Sequence, residues 1–222
     1  MLELGQTITA VGGLGTAAFG LVDATKPFTG INHLGFSGIR RAVAGLTPGN
    51  YATNALPQSK IFATLEANWI NGTDLSSQKA IAKSLIKLHL NAENASKVAN
   101  ASGVDPAMLT SVAEKVGSGE RKTEAESDVF GRFDLIVTAL LDEAYQRADQ
   151  IYRNGTRVLA MFVSVVLALA GAVTLHSSPD NWAHDLGAGL LVGLLATQLA
   201  PIAKDLSSAL VTAVNALQAV KK

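Results

Sequence analysis

The hydrophobic positions follow two different patterns along the chain. Three stretches are apolar and free of charge: Thr7–Val22 (16 residues, or 19 counted from Leu4), Val158–Leu175 (18) and Leu186–Ala203 (18). Runs of this length cross a bilayer as helices. Between Lys26 and Arg157 the apolar residues instead recur every three or four positions with charges between them, the period of amphipathic helices. The two patterns predict an all-α integral membrane protein. It has three transmembrane helices and a helical soluble domain between spans 1 and 2. The expected divisions are 1–26 for the first transmembrane helix and 27–157 for the cytoplasmic domain. A transmembrane hairpin occupies 158–203, linked through His176–Asp185, and 204–222 forms a C-terminal amphipathic helix.

Within the domain, Phe36, Ile39, Val43 and Leu46 mark one short helix, and Ile61, Phe62, Leu65 and Trp69 a second that ends at Asn71–Gly72. Asp74 caps a third, with Ile81, Leu85 and Leu88 expected inward and Lys79, Lys83 and Lys87 on the solvated face. The longest pattern places Val129, Phe133, Ile136, Leu140, Ala144, Ala148 and Ile151 on one face. Asn154–Gly155 either breaks this helix before the second span or lets it run through. Pro27 is expected to stop the first helix, after Asp23 and Lys26 pair one turn apart.

Ala95, Val98, Ala99, Gly103, Leu109 and Val112 have a spacing similar to that of a DNA-binding helix-turn-helix, with Pro106–Val116 in the recognition position. That helix offers Lys115 as its one basic residue, against Asp105 and Glu114, so the stretch reads as a packing unit and nucleic acid is disfavoured.

Charge gives an orientation. Of the 18 Lys and Arg, 15 lie in Lys26–Arg157 and three after the third apolar run, while the N-terminal leader and the 176–185 link have none. The positive-inside rule then places the N-terminus and the link outside, and the central domain and C-terminus in the cytoplasm. A bacterial inner membrane is the expected location. Met1–Gln6 lacks a basic n-region, so the first apolar run is expected to be retained. Four N-x-S/T sites (Asn71, Asn94, Asn100, Asn154) would matter only in a lumenal domain and are read as coincidental.

Candidate chemistry is sparse. The chain has no cysteine, which excludes disulfides and thiolate chemistry. No P-loop, G-x-S-x-G or HExxH pattern occurs, and the Gly-rich GGLGTAAFG lacks the lysine a phosphate loop needs. His176, Asp180, His184 and Asp185 cluster in the link but are ordinary loop residues. No catalytic, cofactor or metal residue is assigned. Small residues four apart, which let membrane helices approach closely, are the candidate site: Gly12, Thr16 and Gly20 in the first span, Ser164, Ala168 and Ala172 in the second, and Gly189, Gly193 and Ala196 in the third. The resulting expectation is a non-enzymatic scaffold, accessory subunit or homo-oligomeric assembly protein. Its partners are the lipid bilayer and either further copies or a larger membrane complex. The alternatives are an oligomeric pore lined by Thr16, Ser164, Thr197 and Gln198, or a membrane-tethered regulator.

Overall fold

The structure is a computed structural model that describes residues 4–49, 56–175 and 182–220. Its helices are α1 (Leu4–Thr29), α2 (Phe36–Leu46), α3 (Gln58–Ile70), α4 (Leu75–His89), α5 (Ala92–Ser102), α6 (Pro106–Ser118), α7 (Glu124–Leu175) and α8 (Trp182–Val220), with a 3-10 turn at Ile31–His33. No strand occurs among the described residues. Three helices are long and apolar enough to cross a membrane, over Gln6–Thr29, Glu124–Thr174 and Trp182–Ala203.

Two expectations about element ends are corrected. The second apolar run is not a span set apart from a soluble domain: α7 is one helix of 52 residues, which runs through Asn154–Gly155 into Val158–Leu175. Glycine keeps its backbone N–H and costs a helix only about 1 kcal/mol, too little to break one this long. Nor does Pro27 stop α1; it lies inside the last turn. The end is set by Gly30, left-handed at φ 66°, whose N–H donates to the Lys26 carbonyl at 3.2 Å. Lys26 and Asp23 do pair, at 2.7 Å.

The chain divides into two compact units. One contains α1, α7 from Arg153 onward, and α8; the other is Asn32–Tyr152. The second unit has a core of large side chains. Phe36, Ile39, Val43 and Leu46 of α2 and Ile61, Leu65 and Trp69 of α3 are buried, in the registers their spacing predicts. They pack with Phe133, Leu141 and Tyr145 of α7. Trp69 stacks edge-on against Tyr152, with ring centroids 6.2 Å apart. Gly35 (φ 87°) brings the backbone against the Ala148 carbonyl, where a Cβ would collide. Asn91 and Asn94 cap α5 reciprocally, each side-chain oxygen accepting the other's backbone N–H at 3.0 and 2.9 Å. Buried Asn94 also donates from Nδ2 to the His89 carbonyl at 2.7 Å, so its N-x-S sequon carries a structural cap.

The inward face of α4 is displaced from expectation. Gln78, Ala82, Ile86 and His89 are buried, Ile81 and Leu85 are half-buried, and Leu88 is exposed. Two features displace it. Gln78 and His89 can be buried because each has a backbone acceptor, the Thr73 carbonyl at 2.5 Å and the Leu56 carbonyl at 2.9 Å. The lysines have carboxylates on α7: Lys79 reaches Asp142 at 2.5 Å, and Lys83 (3.0 Å) and Lys87 both reach Asp134. The lysine row is therefore half-buried and paired, with its methylene stems covered. In the Asn32–Tyr152 part of α7 the buried apolar positions are Phe133, Val137, Leu141, Tyr145 and Ala148, while Ile151 is exposed.

The start of α7 is fixed by a capping box. The Thr123 N–H donates to Glu126 Oε2 at 2.7 Å, and the Glu126 N–H returns to the Thr123 hydroxyl at 3.3 Å. Lys115 and Ser111 of α6 add contacts to Glu126 Oε1 at 2.7 and 2.6 Å. The Lys115 ammonium, then the Ser111 hydroxyl and the Thr123 N–H, hold the Glu126 carboxyl down at about 2, against an ordinary 4.5. Its folded pKa is depressed, so its stabilising contribution is complete above about pH 4.5 and is lost as pH falls toward about 2. Thermal melts across that window should show Glu126→Gln less stable than wild type at neutral pH and less sensitive to acid. Parallel acid limbs would rule this role out.

Candidate functional site

In the unit formed by α1, α8 and the apolar part of α7, the size order of a water-soluble core is inverted. Among the described residues its buried helical positions are Gly12, Gly15, Ala18 and Val22 of α1, Ala160 and Ser164 of α7, and Gly189, Gly193, Ala196, Thr197, Ala200 and Ala203 of α8. Val22 is the one large side chain among them. The large apolar residues face outward instead, with Val158 68%, Phe162 64% and Leu191 60% exposed. In water this arrangement would forgo most of the available hydrophobic stabilisation. In lipid the outer face costs nothing, and association depends on close van der Waals packing and interhelical hydrogen bonds.

Glycine makes the close packing possible on both sides of α8. A Cβ at Gly193 would lie 2.5 Å from the Val165 Cα, and one at Gly189 3.1 Å from the Ala172 Cβ and 3.2 Å from the Ala168 carbonyl oxygen. Against α1, a Cβ at Gly15 would collide with the Ala196 carbonyl and one at Gly12 with the Ala203 methyl. A polar bond ties the α7–α8 contact: the Ser164 hydroxyl lies 2.6 Å from the Gly193 carbonyl and donates to it. Comparisons with protein-family models, curated proteins and solved structures return no match.

The nine small residues singled out by spacing are distributed as follows. Gly12, Ser164, Ala168, Ala172, Gly189, Gly193 and Ala196 lie at the α1–α8 and α7–α8 contacts. Thr16 and Gly20 are on an exposed side of α1. The Thr16 hydroxyl donates to the Gly12 carbonyl at 3.0 Å, and a Cβ at Gly20 would meet open space. The same spacing extends the third-span face to Ala200, which is buried as well, but spacing by four missed Gly15 and Ala203; the three-residue steps Gly12–Gly15 and Ala200–Ala203 carry that signal. Of the four residues assigned to a pore, Ser164 and Thr197 are buried while Thr16 and Gln198 are exposed.

Across both contacts the numbering runs in opposite senses. Gly12 meets Leu199 and Ala203 while Gly15 meets Ala196; Gly189 meets Ala172 while Gly193 meets Val165. For α7 and α8 this is a hairpin. For α1 it conflicts with the expected orientation, because three alternating crossings would run α1 and α8 in the same sense.

Elsewhere the cations of α4 and α6 are engaged, including Lys115 in the helix-turn-helix-like pair. His176 and Asp180 lie outside the described residues, and His184 Nδ1 is 3.7 Å from Asp185 Oδ1. Among the described residues no three His, Asp or Glu converge. The glycine contacts make a graded prediction. Gly193→Leu and Gly15→Leu should each lower the melting temperature in detergent, because backbone must move to admit the side chain. Gly20→Leu should leave it unchanged. Equal effects at all three positions would show that close approach does not hold the unit together.

Proposed function

We propose that this chain is a membrane scaffold or assembly protein whose copies associate through α1, with Asn32–Tyr152 as an interaction domain. One observation carries the reading. α1 has two small-residue faces, and α8 covers only one of them. Ala10, Gly13, Ala17, Gly20 and Ala24 are all exposed, and a Cβ at Gly13 or Gly20 would touch nothing. Their spacing of three, four, three and four is the repeat of a helix seam, built of residues that allow close approach in lipid. A second copy of the same helix suits such a face, since like small residues fit a two-fold contact.

The hairpin has the clearer orientation. The positive-inside rule puts its link outside and both ends inside, with Arg153 and Arg157 at the start of the α7 run and Lys204 at the end of the α8 run. The expected signature is an oligomer in detergent, by light scattering or native mass. Gly13→Leu with Ala17→Leu should reduce it to monomer without lowering the melting temperature, whereas Gly15→Leu should lower the melting temperature. A monomeric wild type with no co-purifying membrane partner would sink the proposal, as would a double variant of unchanged size.

A further inference from the structure

The exposed basic surface on α2 is the feature of the second unit that its packing leaves unused. From Ala24 to Leu65 the chain has no Asp or Glu, yet it carries Lys26, Arg40, Arg41 and Lys60. This is the section that leads out of the apolar helix α1, and α2 begins seven residues after α1 ends. The lysines of α4 and α6 are engaged by Asp142, Asp134 and Glu126. Arg40 and Arg41 are exposed and, among the described residues, face no such carboxylate. The Arg40 guanidinium lies over the Phe62 ring, 5.1 Å from its centroid, which holds it outward while leaving its N–H edge open. Glu66, the first acid after the gap, is engaged by His33 at 3.1 Å.

We infer that Arg40 and Arg41 of α2 form a binding surface for the phosphate headgroups of anionic membrane lipid. The chemistry fits on three counts. The guanidiniums of two consecutive α2 residues each offer a planar N–H edge suited to phosphate oxygens. The acid-free section around them removes local competitors and repulsion. Its place just after an apolar helix keeps it within a short chain length of any membrane that α1 enters. A basic surface of this kind is worth about five-fold in affinity per arginine at an anionic leaflet, or about 25-fold for two.

The test uses the full chain in neutral detergent, titrated separately with phosphatidylglycerol and phosphatidylcholine, with bound lipid counted by native mass spectrometry. Wild type should retain phosphatidylglycerol preferentially. Arg40→Gln with Arg41→Gln should weaken that retention about 25-fold, and Arg41→Gln alone, at an exposed position, about five-fold. Arg132→Gln, an exposed charge on α7, should leave it unchanged. Equal retention of the two lipids, or a preference that survives the double substitution, would overturn the inference. So would displacement of the bound lipid by equimolar inorganic phosphate or an acidic peptide, since the surface would then read a soluble anion.

Discussion

The distance at which two backbones can lie side by side governs the α1, α7 and α8 unit. At Gly15 against Ala196 and at Gly193 against Val165 there is no room for a single methyl group. A helix interface that close gains dispersion contacts along its length and brings the Gly193 carbonyl within reach of the Ser164 hydroxyl. It also leaves the interior with almost no large side chains. Large apolar side chains such as Phe162, Leu195 and Ile202 are turned outward. The arrangement is coherent only if the surroundings are themselves apolar.

The Asn32–Tyr152 unit follows the opposite logic. Its interior is Phe, Ile, Leu, Trp and Tyr, and its charges are on the outside or paired across α4 and α7. Tyr145 shows how far this core excludes water: its hydroxyl has no partner among the described residues, and burial pushes its phenol above the ordinary range. One chain thus contains two solutions to burial, each suited to a different solvent, and α7 contributes residues to both.

Much of this division was legible in the sequence. The three uncharged runs, the registers of α2 and α3, the Asp74 cap and the Asn71–Gly72 end follow from local rules that tertiary packing did not override. Where reading failed, a partner distant in sequence decided. The lysines of α4 looked like a solvated row because Asp134 and Asp142 lie 47 to 63 positions away. The continuity of α7 was left open because Asn154–Gly155 resembles a terminator unless the flanking helices are known to be long. Spacing found most of the glycine contacts but could not divide α1 into a covered and an uncovered face. That division depends on where α8 lies, and so does the sense in which the two helices cross.

The scarcity of large buried side chains around α8 also bears on calorimetry. The heat-capacity change of unfolding grows with the apolar surface newly exposed to water. The glycine and alanine contacts conceal little such surface, and in detergent their outer faces stay covered by acyl chains. A heat-capacity increment measured on the whole protein would therefore report almost entirely on Asn32–Tyr152, and normalising it to the full chain length would understate the apolar surface that unit buries per residue.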